Sequence, residues 1–278
     1  MNIKLASTSI VLVAGSILAI SNTAQAVNFT TNFKQKNGLE GDTILKSIIQ
    51  NGKKVESFSF VNEAKILYNT PIQGVKNGQT SNPEAVKDSN LVNNTGGVST
   101  DKGDKASSPN GMATSGLKDP TGKEIATFLG NNNLNNIVDS EEVGVFKMNL
   151  FFDSLIRQDN TGLDSLFFWE RGLNSDLGLQ AIDKDGNLIG NVLKLSRKDQ
   201  IEAGYSIDTM EIASAQKVGS WGVNLNQLGV KSLSGIQVFQ DLRYCHNFLL
   251  VNEAEKPINS FYFVPSVTHY RILNVPVT

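Results

Sequence analysis

The stretch FFWERGLNSDL, which begins at Phe167, decides the fold of this chain. Its first residues place three bulky aromatic side chains beside a Glu-Arg pair, a composition typical of a β-strand. Successive side chains of a strand point to opposite faces of the sheet. Phe167, Trp169 and Arg171 would then share one face. Phe168 and Glu170 would lie on the other, and we predict that the segment is the central strand of a sheet.

These aromatic residues have two interpretations. Exposed on one face, Trp169 and Arg171 could stack on a sugar or bind an anionic ligand. Alternatively, the aromatic side chains of a central strand fill a hydrophobic core, with Glu170 or Arg171 paired at its margin. Trp221, in a later β-like segment, is the other side chain that a carbohydrate-binding surface would display. We therefore take Trp169, Arg171 and Trp221 as candidate ligand-binding residues.

Short β-like segments recur along the second half of the chain at intervals of about ten residues, with Asp185-Gly186 as a hairpin turn between two of them. This spacing is typical of a sandwich or jelly roll. We predict a mainly β fold, a single antiparallel, jelly-roll-like β-sandwich domain over residues 27–264. The predicted strands are Val143–Phe152, Ser165–Glu170, Leu177–Asp183, Leu188–Leu195, Tyr205–Met210, Lys217–Asn224 and Leu233–Gln240.

The first half of the domain carries a further hairpin signal. Asn51-Gly52 lies between the apolar runs Ile44–Ile49 and Val55–Val61, and Asn-Gly between β-rich runs predicts a tight turn. The first run also fits a helical period, so a helix is the alternative. The turn and the β-branched content favour strands.

One short helix and one long polar loop interrupt the β pattern. Thr121 and Glu124 have the spacing of a capping box, which predicts a helix that begins at Thr121 and ends near Gly130. Residues 70–120 show little apolar periodicity and are dominated by Gly, Asn, Ser, Asp and Lys. We predict that this segment is a polar insertion, either a long surface loop or a flexible segment.

The first 26 residues predict export. Lys4 precedes the apolar run Ile10–Ile20, and the motif Ala-Gln-Ala ends at Ala26, the pattern of a secretory signal peptide cleaved after Ala26. A membrane anchor is the alternative, but it needs about 20 apolar residues. This run is shorter and contains a Gly-Ser pair. We expect a secreted or cell-surface protein.

Composition and motifs exclude several classes of function. A formal net charge of −2 supplies no basic surface for nucleic acid. Cys245 is the only cysteine, so no internal disulfide can form, and its neighbour His246 would point to the opposite face of a strand. The sequence contains no nucleophile elbow, Walker loop or zinc-protease motif. We predict no catalytic residue and no cofactor.

Calcium is the one ion for which the sequence offers ligands. The turn Asp183–Asn187 presents oxygens at alternating positions, but the spacing of an EF-hand is not met, and a solvated hairpin is the simpler interpretation. Asp139, Glu141 and Glu142 form an acidic cluster that we interpret as a solvated loop. Binding of calcium there, or a glycosidase role for a carboxylate such as Glu141 or Glu170, is an alternative.

Four tracts together carry a resemblance to a known family: residues 131–139 (NNNLNNIVD), 167–177, 180–183 (QAID) and 215–223 (AQKVGSWGV). With these tracts the chain resembles the cyanobacterial exosortase-dependent surface proteins, whose sorting is of the PEP-CTERM type. The resemblance implies export, the exosortase sorting machinery as a partner, and an association with exopolysaccharide. The family has no assigned enzymatic activity.

The C-terminal sequence departs from the pattern of this family. Its members carry a Pro-Glu-Pro motif, a membrane-spanning helix and a basic cluster, whereas here Ser266 follows Pro265 and only 13 residues remain after Pro265. We predict an atypical tail over residues 265–278 without a transmembrane helix, from either a truncated or frame-shifted member or one released without anchoring. The predicted function is a non-enzymatic exported cell-surface or matrix protein, with a carbohydrate-binding module for exopolysaccharide as the alternative.

Overall fold

The computed structural model describes residues 27–69, 98–109, 120–140, 146–158, 163, 165–209, 214–240 and 268–274, the last segment and Ser140 by their backbone alone. The two α-helices of this part are α1 (Gly122–Leu129) and α2 (Leu225–Leu228), and 3₁₀ turns span Gly38–Glu40 and Arg197–Asp199. Its strands are β1 (Phe29–Lys36), β2 (Asp42–Gln50), β3 (Lys53–Val55), β4 (Val61–Asn69), β5 (Val98–Lys102), β6 (Asn136–Ser140), β7 (Phe146–Arg157), β8 (Ser165–Arg171), β9 (Leu177–Ile182), β10 (Leu188–Leu195), β11 (Ile201–Ile207), β12 (Gln216–Asn224), β13 (Ser232–Phe239) and β14 (Thr268–Asn274).

The described strands form three antiparallel sheets, which confirms the predicted mainly β sandwich. A three-stranded sheet has the order β1-β2-β3, a five-stranded sheet the order β10-β9-β13-β7-β4, and a six-stranded sheet the order β11-β12-β8-β14-β6-β5. The predicted strands of the second half match within a few residues. The differences are that β7 runs on to Arg157 and β11 begins at Ile201.

The six-stranded sheet is the middle layer, and β8 is a central strand of it, as predicted. Leu166 and Phe168 belong to the large core that this sheet shares with the five-stranded sheet and α1. Phe167 and Trp169 belong to a second core, shared with the three-stranded sheet. All seven residues of β8 are buried. The three-stranded sheet therefore adds a third layer to the predicted sandwich.

The Asn51-Gly52 turn is confirmed, and the segment before it is the strand β2 rather than a helix. Both turn residues have positive φ, 51° at Asn51 and 73° at Gly52, as the tight turns of hairpins require. The second arm is shorter than predicted. β3 ends at Val55, and Val61 opens β4 in the five-stranded sheet, because the chain crosses here from one layer to another.

Helix α1 begins as predicted and covers an edge of the five-stranded sheet. The Thr121 hydroxyl accepts from the Glu124 amide, and the Glu124 carboxylate accepts from the Thr121 amide at 2.7 Å. The helix lies against β4: a Cβ atom on Gly122 would come within 1.9 Å of the Ala64 carbonyl oxygen, and one on Gly130 within 2.6 Å of the Val61 oxygen. Glycine at both ends permits this contact, and the covered edge is shielded from other chains.

Two segments predicted to lie outside the sheets belong to the six-stranded sheet instead. Within the predicted polar insertion, Val98–Lys102 is the strand β5, whose five residues are all buried; residues 70–97 and 110–119 lie outside the described part. Within the predicted tail, Thr268–Asn274 is the strand β14, which pairs with β6 and β8. The polar composition of β5 gave no strand signal in the sequence. Its buried polar groups are satisfied by hydrogen-bond partners that are distant in sequence.

Candidate functional site

The three candidate ligand-binding residues are interior residues on opposite faces of the six-stranded sheet. Trp169 and Trp221 are 2 % and 1 % exposed. The Trp169 indole N–H donates to the Thr31 hydroxyl at 3.0 Å, and the Trp221 indole N–H donates to the Ser196 carbonyl at 2.9 Å. Trp169 contacts the smaller core and Trp221 the larger one. Together with Arg171 they form no common surface, and the core interpretation of these aromatics is confirmed.

Arg171 is the centre of a buried ionic network. Its guanidinium donates to Asp101 at 2.7 Å and to Asp139 at 3.2 Å, and also to the Thr209 hydroxyl. The guanidinium side chain is 1 % exposed and the two carboxylates are fully buried. Charges in such a position are stable only with partners. Arg171 thus ties β8 to β5 and β6, the far strands of the same sheet.

The prediction of a solvated acidic loop was wrong for Asp139. This residue lies on β6 and is 1 % exposed, because the Arg171 guanidinium compensates its charge inside the protein. Glu141 and Glu142, the other members of the predicted cluster, lie outside the described residues. The Asp139 carboxylate accepts from the Arg171 guanidinium at 3.2 Å.

A second polar group joins the asparagine-rich tract to the start of β2. The Asp42 carboxylate accepts from the Ser107 amide at 2.6 Å, from its hydroxyl at 2.8 Å, and from the Asn133 side chain at 2.8 Å. The Asn133 oxygen accepts in turn from the Thr43 amide at 2.9 Å. The Asn135 side chain donates to the Gly41 carbonyl at 2.7 Å. The asparagines therefore satisfy backbone and carboxylate groups where three segments meet.

Glu170, on the opposite face of β8 from Arg171, is a buried carboxyl group with an unusual environment. Burial raises its pKa to about 8, against the hydrogen bonds from Gln200, Asn174 and Leu173 and the nearby charge of Arg171. The chain turns over it through two left-handed residues, Gly172 at φ 108° and Leu173 at φ 54°. Left-handed turns present successive backbone amides to one acceptor, which is how this loop meets the carboxyl group.

Three carboxylates that the sequence did not bring together lie side by side. One oxygen each of Glu40, Asp104 and Asp208 lies within 4.8 Å of the others, and all three residues are half-buried. Oxygens of this kind suit calcium. Lys105, however, makes an ion pair with Glu40, so one positive charge already lies at the cluster. The residues come from three distant segments, and no local spacing could have revealed them.

The predicted hairpin at Asp183 is confirmed, and its oxygens are used within the turn. The Asp183 carboxylate accepts from the backbone amides of Asp185 at 2.8 Å and Asn187 at 2.9 Å, and from the Asn187 side chain at 3.2 Å. The hydrogen bonds from Asn187 lower the pKa of Asp183. The carboxylate serves the turn itself, as the interpretation of this segment as a solvated hairpin implies.

An open groove of about 510 Å³ runs between α1 and the start of β4. Volumes of this size suit small-molecule ligands. The groove combines aromatic, carboxylate, amide and ammonium side chains. It is lined by Phe60, Val61, Asn62, Glu63, Ala64, Lys123, Ala126, Thr127, Gly130 and Asp153.

Comparisons of the chain with protein-family models, with curated proteins and with solved structures each gave no match. In the part of the chain that the structure describes, no helix has the length and apolar character needed to cross a membrane. Cys245 and His246 lie outside this part.

Proposed function

We propose that this chain is a non-enzymatic exported protein that acts at the cell surface or in the extracellular matrix. The observation that carries the proposal lies immediately after the predicted cleavage site. Within the described residues, Val27 donates its backbone N–H to the Gly222 carbonyl at 2.8 Å, and β1 begins at Phe29. Val27, the residue that would follow the predicted cleavage site, therefore takes part in the fold, and cleavage after Ala26 would leave β1 complete.

The buried charges support a structural role for the conspicuous polar residues. In the interior Arg171 pairs with both Asp101 and Asp139 and so connects three strands of one sheet. A network of this kind holds strands together, because removal of one buried partner leaves an uncompensated charge. The exosortase machinery and exopolysaccharide are the partners that the family resemblance implies, and both belong to the proposal.

Export is tested by fusing the leader and the complete chain to a reporter enzyme that is active only outside the cytoplasm. The Leu12→Arg variant, which places a charge in the apolar run, is the control. We expect reporter activity with the natural leader and its loss in the variant. Equal activity of both fusions, or none with the natural leader, would refute export by this segment.

The non-enzymatic role is tested by incubating the purified chain with a panel of glycans and peptides. No turnover is expected. Turnover that disappears in a carboxylate variant such as Glu170→Gln would overturn this part of the proposal.

The second candidate function is binding of exopolysaccharide, and the groove beside α1 favours it. Carbohydrate sites combine an aromatic surface with planar polar side chains, and here Phe60 lies near Asn62, Glu63 and Asp153. Calorimetric titration with exopolysaccharide fragments tests it. Asn62→Ala should weaken binding, whereas Lys65→Ala, exposed on the same strand but outside the groove, should not. Equal affinities of the two variants and the natural chain would exclude the groove.

A further inference from the structure

Two acceptor oxygens of the Glu170–Gln200 pair lack a hydrogen-bond donor, and a charged carboxylate cannot supply one. The Gln200 amide nitrogen donates to Glu170 Oε2 at 3.1 Å. Among the described residues, Glu170 Oε1 and Gln200 Oε1 are both buried and have no hydrogen-bond partner. Buried polar atoms without partners are rare and costly. In this case two such atoms belong to the two side chains of one hydrogen-bonded pair.

A proton on Glu170 would satisfy both atoms at once. A protonated carboxyl group has one hydroxyl donor and one carbonyl acceptor, so Oε1–H can donate to Gln200 Oε1 while Oε2 keeps the bond from Gln200. The two groups then form a closed ring of two hydrogen bonds. The other hydrogen of the Gln200 amide points to the Ser175 carbonyl, 3.4 Å away. That contact fixes which end of the amide is nitrogen.

The backbone is arranged to admit this pair. Gly219 on β12 lies directly opposite Glu170 in the strand register. A Cβ atom at Gly219 would come within 2.2 Å of Gln200 Oε1. The absence of a side chain there lets the Gln200 amide reach across β12 to β8. The loop that follows β8 closes over the pair, with the amides of Leu173 and Asn174 donating to the carboxyl group.

We propose that Glu170 and Gln200 form a neutral acid–amide latch that holds the Gly172–Asp176 loop on the end of the large core and opens when Glu170 loses its proton. Ionisation would place a charge between two sheets and remove the donor that Gln200 Oε1 needs. The amides of Leu173 and Asn174 favour the ionised form, but burial outweighs them. The charge is therefore relieved only when water reaches it, and the loop that covers the pair must move to admit that water. The device responds to alkaline conditions.

The surrounding charged groups do not replace the proton. Arg171 is on the opposite face of β8 and is engaged with two carboxylates. On the loop, Asp176 pairs with Lys194 of β10 and with Arg197 of the 3₁₀ turn, where Lys198 and Asp199 also lie. Glu202 of β11 and Lys217 of β12 pair at the surface. On β14, Tyr270 is the register partner of Glu170 and follows the titratable His269.

The sign of the pH dependence follows from the raised pKa of Glu170. The unfolded chain has the ordinary glutamate pKa of 4.5, and the folded chain holds the proton up to about 8. The stabilisation is therefore complete below the unfolded value and is lost as the pH rises through the folded value. Between pH 5 and pH 8 the unfolding equilibrium constant should rise roughly 400-fold through this group alone.

The direct test is a carbon-13 NMR titration of the natural chain with labelled glutamate side chains. We expect one carboxyl resonance with a midpoint near 8, absent from the spectrum of Glu170→Gln. Amide hydrogen exchange at Leu173 and Asn174 should accelerate through the same midpoint, beyond the intrinsic effect of pH. Titration of every glutamate at its ordinary pKa would overturn the proposal. So would a raised Glu170 midpoint without loop opening.

Variants separate the latch from a general effect of charge. Glu170→Gln replaces the hydroxyl donor by an amide donor and should keep the ring while removing its pH dependence. Glu202→Gln removes the same charge from an exposed side chain and should retain the alkaline loss of stability. Equal pH dependence in the two variants would refute the latch. If Glu170→Gln does not fold, the titration of the natural chain still decides.

Discussion

Replacement of Arg171 by methionine should cost the fold about 3 to 5 kcal/mol, which is what removal of one partner from a buried ion pair typically costs. The variant keeps a long side chain in the cavity but leaves two carboxylates, both fully buried, without the guanidinium. The Thr209 hydroxyl loses its donor as well. Since a domain is stable by only about 5 to 15 kcal/mol, the loss should be a large part of the total.

The assay is urea unfolding of the mature chain, followed by the fluorescence of the two buried tryptophans. Arg157→Met is the matched control, because Arg157 is an exposed residue at the end of β7, and its replacement should change the free energy of unfolding by no more than about 0.5 kcal/mol. Combining Arg171→Met with Asp101→Asn and Asp139→Asn should recover much of the loss. A cost for Arg171→Met alone that equals that of Arg157→Met would refute the reasoning.

Three further predictions concern local features of the fold. Thr121→Ala should lower the free energy of unfolding by about 1 kcal/mol through loss of the capping box, and Thr127→Ala, in the same helix, serves as its control in urea unfolding; equal effects would argue against the cap. Gly52→Ala should lower the free energy of unfolding by about 1 kcal/mol, because the turn needs a positive φ at this residue. The thermal midpoint should fall accordingly, and an unchanged midpoint would contradict the turn. Iodide should quench the fluorescence of Trp169 and Trp221 only after unfolding, and strong quenching of the native chain would show that an indole is accessible.

The elements that the sequence predicted correctly carry short-range signals. The Asn51-Gly52 turn, the capping box at Thr121 and the alternation along β8 each depend on residues within a few positions of one another. Backbone sterics and side-chain periodicity act over that distance. The local conformation therefore follows directly from the local sequence, and these predictions were confirmed.

The ionic interior could not be predicted in this way. Asp101 meets Arg171 across 70 positions of the chain, and Asp139 meets it across 32. Neither carboxylate has a local feature that distinguishes it from a solvated one, and Asp101 lies in a segment of polar composition. Partners that are distant in sequence decide such burial, so β5 was hidden within the predicted polar insertion.

The candidate ligand-binding residues also show what a local sequence pattern cannot predict. The sequence placed Trp169 and Arg171 on one face of β8 correctly, but both faces of this strand are covered. A pattern of alternation tells which residues share a face and does not tell what lies over it. The cluster of Glu40, Asp104 and Asp208 likewise arises only when three distant segments meet.

We propose that this protein is exported and cleaved after Ala26, and one measurement tests this most directly. The 278-residue chain is expressed in a host that has an exosortase. The cytoplasm, membrane, cell surface and medium are then separated. Mass spectrometry determines the termini of the protein in each fraction. We predict protein beginning at Val27 in the surface or medium fraction. Protein that retains Met1–Ala26 and stays in the cytoplasm would contradict the account.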